Sequence, residues 1–123
     1  MNSLVLVVED NKINLYLTTF ILEEAGHQVL SATSGAEALE LARAQPPALI
    51  LLDLHIPGVS GFDVAKELRS WSTMRDVPIV AISADAESKS GQAALEAGCN
   101  DFIPKPINPD TFIDLLGDHL PEI

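Results

Sequence analysis

The stretch ALILLDLHIPGVSG, residues 48–61, runs five apolar residues from Ala48 to Leu52 directly into a carboxylate, Asp53. An unbroken apolar run of this length reads as a strand buried on both faces, the state of strands in a parallel sheet. HIPGVSG is a Pro/Gly loop, and Ser60 with Asp63 marks the start of a helix that turns Val64, Ala65 and Leu68 inward. The unusual feature is the charge that ends the strand.

The same grammar extends in both directions. SLVLVV (3–8) is a second β-branched apolar run, again ending in acids, Glu9 and Asp10. NKINLYLTTFILEEAG follows, with Ile13, Tyr16, Leu17, Phe20 and Ile21 at helical spacing, which predicts an inward stripe closed by Gly26. HQVLSA (27–32) reads as a strand, and Ser34 with Glu37 is a capping box opening a helix to Ala44, stopped by Pro46-Pro47. VPIVAIS (77–83) is the fourth strand, a helix over 87–97 ends on Gly98, and NDFI (100–103) is a short fifth strand. Asn108 followed by Pro109 predicts a last helix with Phe112, Ile113, Leu116 and Leu120 inward.

Five strand–helix alternations predict one α/β domain over residues 1–123, a doubly wound parallel sheet between two layers of helices. The favoured strand order is 2-1-3-4-5, by analogy with flavodoxin-like folds. The length of 123 residues suits a single core, and no apolar run approaches the roughly 20 residues a membrane span needs. MNSLVLVVED lacks the basic region of a signal peptide. One cysteine, Cys99, allows no internal disulfide, which fits a cytoplasmic setting. A net charge of -11 argues against direct binding of nucleic acid or anionic membrane and suits basic partners or cations. Cys99 reads as a small buried hydrophobe, and Trp71 as a half-buried aromatic at a helix end.

In a parallel sheet the strand ends share one rim, where ligands of open α/β sheets bind. Glu9 and Asp10 follow strand one, Asp53 follows strand three, Ser83 ends strand four, and Lys105 lies just past strand five. Strands one and three are neighbours in the expected order, so three carboxylates converge. Repulsion would push one of them toward its protonated form unless a cation intervenes. Mg²⁺ takes oxygen ligands of this type, and an aspartate beside a cation, a hydroxyl and an amine suits phosphoryl transfer.

VVEDN, LLDLHIPGVSG, AISA and FIPKP, in that order and at these spacings, resemble the receiver domain of two-component response regulators, over Leu4 to about Leu120. The resemblance implies that Asp53 is the phosphoacceptor and that Glu9, Asp10, Asp53 and the His55 backbone carbonyl hold Mg²⁺, with Mn²⁺ able to substitute. It implies that Ser83 and Lys105 contact the phosphoryl group, that the Lys105–Pro106 bond is cis, and that Phe102 is the switch aromatic. His55 and Asp85 side chains flank the site and would modulate phosphoryl lifetime. The protein would then be a signalling phosphoacceptor, not a turnover enzyme. Its donor would be a histidine kinase or a histidine phosphotransfer protein, and its readout surface the fourth helix, fifth strand and fifth helix, presented to a protein target. EDNKIN favours stand-alone regulators and receivers of hybrid histidine kinases.

Two other classes fit the fold less well. A haloacid-dehalogenase-like phosphohydrolase places its nucleophile after strand one with a second acid two residues on, whereas here position 55 is His. A flavin module needs a hydroxyl-rich phosphate loop after strand one, where this chain has two acids. No G-x-x-x-x-G-K-[ST] motif occurs.

Overall fold

A computed structural model of the chain describes residues 4–83, 88–117 and 119, without the side chains of 88–91. Five strands alternate with helices: β1 (Leu4–Val8), α1 (Lys12–Glu24), β2 (Gln28–Ala32), α2 (Gly35–Ala44), β3 (Leu49–Asp53), α3 (Gly61–Ser70), β4 (Ile79–Ser83), α4 (Ser88–Glu96), β5 (Asp101–Pro104) and α5 (Phe112–Leu116). A 3₁₀ turn, Ser72–Met74, links α3 to β4. All pairings are parallel and the order is β2-β1-β3-β4-β5, as the alternation predicts.

Side chains on a strand alternate between faces, so each apolar strand supplies two cores. Leu6, Val8, Ile50, Leu52, Ile79 and Ala81 pack under α2, α3 and α4. Val5, Val7, Leu49, Leu51, Val80 and Ile82 pack under α1 and α5, with Leu22, Phe112 and Leu116. Glu9 continues the parity of Val5 and Val7, and Asp53 that of Leu49 and Leu51. Since Val8 pairs with Leu52, the next step along both strands sets Glu9 beside Asp53.

The predicted caps hold for α2 and α3: Ser34 and Ser60 accept from the amides of Glu37 and Asp63. Two expectations need correction. In α1 the inward residues are Thr18 and Leu22, with Leu15 and Ile21 half-buried, whereas Ile13, Tyr16 and Phe20 are 79%, 72% and 51% exposed. Two stripes of α1 have helical spacing, and the buried one is the less continuous in apolar character. The second correction concerns α5. The Asn108 side chain accepts from the Asp110 amide and its carbonyl from the Phe112 N–H at 2.9 Å, as a cap would, but the regular helix starts only at Phe112. Leu120 lies outside the described residues.

Gly61 permits the close seating of α3. A Cβ there would lie 2.5 Å from Leu54 Cα and 2.8 Å from the Asp53 carbonyl oxygen. Both obstacles are backbone and cannot swing aside. Gly61→Ala should therefore destabilise the fold by about 1–3 kcal/mol, the usual range for overpacking, and shift the Asp53 segment. Urea unfolding midpoints measure the first effect, and amide chemical shifts of residues 53–55 the second.

His27 is buried, and its Nδ1 has no hydrogen-bond partner among the described residues. Burial lowers its pKa from 6.5. Above that value the ring is neutral in both folded and unfolded chains, and nothing is lost. Below it the unfolded chain takes a proton that the fold refuses, so stability falls as pH drops, by at most about 1.4 kcal/mol per pH unit for one proton. His27→Leu should remove this component of the pH dependence in chemical denaturation between pH 7 and 5.

Candidate functional site

The rim where β1, β3, β4 and β5 end gathers the predicted polar groups. The loop after β1 presents Glu9, 4% exposed, and Asp10, which is exposed. Asp53, the last residue of β3, is 4% exposed. One oxygen from each of these three carboxylates lies within 4.8 Å of the others. Such a set fits a hard divalent cation, which takes carboxylate oxygens at an open, hydrated site.

Lys105 bridges the two buried acids. Its Nζ lies 2.8 Å from Glu9 Oε1 and 2.9 Å from Asp53 Oδ2. The other Asp53 oxygen, Oδ1, accepts from the His55 backbone N–H at 2.9 Å, and Glu9 Oε2 accepts from the Asn11 N–H at 3.2 Å. β5 delivers the lysine: its backbone N–H donates to the Ser83 carbonyl at 2.8 Å, and the following Lys105–Pro106 bond is cis.

The electrostatics follow from this crowding. Burial, reinforced by neighbouring Asp53, raises the Glu9 pKa against the opposing pull of Lys105. Burial alone would lower Lys105, but its bonds to Asp53 and Glu9 outweigh that and raise it. One carboxylate of the cluster thus takes up the conflict that the sequence anticipates, and Lys105 supplies the internal counter-charge.

Ser83 is fully buried at the end of β4, on the same rim. Phe102 on β5 is half-buried and packs against the core beneath α2, α3 and α4. The His55 side chain is exposed beside Asp53. Asp85 lies outside the described residues. Cys99 is buried, which pushes its thiol up to about 11 against the opposing charge of Arg69, and it is chemically inert there. Trp71 is half-buried, donates to Glu67 at 2.8 Å and carries Arg43 over its ring at 4.6 Å.

The receiver-domain profile of response regulators matches residues 5–116. The chain belongs to the response regulator receiver domain family. The polar-differentiation response regulator DivK of Brucella ovis is 37% identical over 120 residues, covering 98% of both chains. The solved chemotaxis response regulator CheY4 of Vibrio cholerae superposes with a TM-score of 0.93 at 28% identity, covering 98% of this chain and 100% of that one. The receiver domain of a Pseudomonas aeruginosa sensor histidine kinase, solved with a magnesium ion in its active site cleft, gives 0.89 at 29% identity and covers 97% and 98%. This receiver domain is therefore a component of two-component signalling with the CheY-like fold. Among its described residues no helix is long and apolar enough to cross a membrane.

Sequence reasoning missed two features of the receiver domain. One is the exposed apolar stripe of α1, where Tyr16 and Phe20 stack with centroids 6.4 Å apart. The other is Arg69, whose role depends on backbone carbonyls that no residue pattern announces.

Proposed function

We propose that this receiver domain accepts a phosphoryl group from a phosphohistidine onto Asp53. The observation that carries the reading is the grip on the Asp53 carboxylate: Lys105 Nζ holds one oxygen and the His55 N–H the other, beside two further acids. An Asp53 oxygen attacks phosphorus while the N–P bond to the donor imidazole breaks. The imidazole nitrogen keeps the electron pair. Lys105 and the Ser83 hydroxyl take up contacts to the transferred oxygens, so Lys105 exchanges one carboxylate partner for the phosphoryl group.

Glu9, Asp10, Asp53 and the His55 carbonyl would hold Mg²⁺, and Mn²⁺ could take the same oxygen set. A divalent cation bound there offsets negative charge on the transferring group. Hydrolysis of the acyl phosphate by water resets the domain, at a rate tuned by the His55 and Asp85 side chains. Phosphorylation adds about -1.5 to -2 charges at the rim, draws Ser83 and Lys105 toward them, and repacks Phe102. The surface of α4, β5 and α5 then changes its affinity for a protein target. The acidic balance disfavours nucleic acid as that target. We take residues 1–123 as one such domain, working in the cytoplasm.

The donor is a histidine kinase or a histidine phosphotransfer protein. Its docking face includes Ile13, Tyr16 and Phe20, because this stripe starts two residues beyond the Asn11 amide that binds Glu9 and runs outward from the pocket. A helical donor face can pack on such a stripe while its histidine reaches Asp53.

Two donors test this reading. With a small acyl phosphate and Mg²⁺, wild type should gain one phosphoryl mass, and without a divalent cation it should gain none. Tyr16→Glu should take phosphate from the acyl phosphate at the wild-type rate. From a phosphohistidine protein that phosphorylates wild type it should be slower, by about tenfold or more. Equal loss with both donors would remove α1 from docking. No mass gain by wild type would remove the phosphoacceptor reading itself.

A further inference from the structure

Arg69, near the end of α3, spends its guanidinium on backbone. Nε and Nη2 donate to the Gly98 carbonyl at 3.0 and 2.9 Å. Nη1 donates to the carbonyls of Met74 and Val77 at 2.8 and 2.9 Å, and to that of Arg75 at 3.2 Å. Nη2 also reaches Asn100 Oδ1 at 2.7 Å, which in turn accepts from the Ile79 N–H at 2.9 Å. One side chain thus ties the exit of α4 and the entry of β5 to the segment that leads into β4. Gly98, at a φ of +112°, lets this contact form: a Cβ there would meet Arg69 Cβ and Cγ at 3.2 Å.

The grip along the rest of α4 is different in kind. Its buried described residue is Ala94, followed just past the helix by Ala97, while Leu95 is 54% exposed. Alanines bury little area and do not interdigitate, so a helix seated on them shifts at low cost. By contrast α5 inserts Phe112 and Leu116, both fully buried. Since α4 follows β4, it begins at the rim that holds Ser83 and ends at the opposite edge of the sheet, where Arg69 waits.

We propose that Arg69 is the hinge pin of α4. A response at the rim swings the Ser88 end of the helix, while the Gly98 end and the start of β5 stay fixed to α3 and β4. The output surface then pivots and does not slide. This inference rests on the phosphoacceptor reading. It makes Arg69 a positioning residue that acts through Gly98 and Asn100 and touches no phosphate.

Hydrogen exchange, read by residue, with and without beryllofluoride and Mg²⁺ as the acyl phosphate mimic, tests it. In wild type, loading should change exchange in the amides before Ala93 and leave those of Ala97, Gly98, Cys99 and Asn100 unaltered. In Arg69→Gln these four amides should exchange about tenfold faster or more without the mimic, because charged hydrogen bonds are lost, and loading should now alter them too. A loading response that is uniform from Ser88 to Asn100, or strongest at Gly98, would overturn the hinge. So would an Arg69→Gln protein with wild-type protection at these amides. Should Arg69→Gln fail to fold, the wild-type profile decides, with Asn100→Ala as the milder variant expected to spread the response into β5. Mimic bound with no change in α4 would overturn the hinge alone. Failure of the mimic to bind would overturn the phosphoacceptor reading and the hinge with it.

Discussion

Asp53→Asn takes up no phosphoryl group from a phosphohistidine donor or a small acyl phosphate, a loss of at least about a thousandfold in the rate of mass gain. The substitution keeps the shape of the side chain and can still accept from the His55 N–H that holds Oδ1 at 2.9 Å. Lys105 keeps its contact to Glu9 at 2.8 Å. β3 remains buried throughout, so the fold should survive. The amide lacks only the nucleophilic charge, and its oxygen cannot form the acyl phosphate. Circular dichroism and a wild-type thermal transition should accompany the loss. Residual incorporation at wild-type rate would place the acceptor elsewhere.

Lys105→Ala is the second large effect. The amine stands between two carboxylates that are both 5% exposed at the side chain. Removing it deletes the preorganised positive group that meets the incoming phosphoryl oxygens, and phosphorylation should slow by about 10²–10³-fold. Two further changes follow from the same geometry. Lys105 opposes the rise in the Glu9 pKa, so without it that pKa climbs further. Divalent cation affinity, compared at a pH high enough that neither protein's affinity still changes with pH, should increase, because a competing positive charge has gone. A variant that binds Mg²⁺ more tightly yet accepts phosphate more slowly would separate the two roles of positive charge. Quenched-flow mass gain and a Mg²⁺ titration by calorimetry measure them. Lys105→Arg should not restore the rate, since the bulkier planar guanidinium cannot put a compact charge where the ammonium sits between both acids.

The fold was legible because each strand carries its burial in its own residues. LVLVV, LILLD and IVAIS are continuous apolar runs, and such runs persist only between two layers of helices. The pocket was legible for a related reason. A carboxylate directly after a buried strand has few places to go, and the strand order set Glu9 and Asp53 side by side. What composition could not rank was α1, where two stripes have helical spacing. The stripe through Ile13, Tyr16 and Phe20 is apolar throughout, yet the core took Thr18 and Leu22, flanked by Leu15 and Ile21. The start of α5 was not legible either, because Asn108 makes the bonds of a cap and the regular helix still begins only at Phe112. The sequence places Lys105 only as an amine just past strand five, on the shared rim. That Lys105 would span both acids depends on the path of β5, whose N–H bond to Ser83 fixes it.

Reductive trapping tests the central claim most directly. The domain is incubated with an acyl phosphate, treated with borohydride, which converts an aspartyl phosphate to homoserine, and digested for peptide sequencing by mass. Homoserine should appear at position 53, only when a divalent cation is present during loading. Homoserine at Asp10 or any other acid, or conversion at position 53 that is indifferent to divalent cation, would contradict a site in which Glu9, Asp10 and Lys105 prepare Asp53 for phosphate.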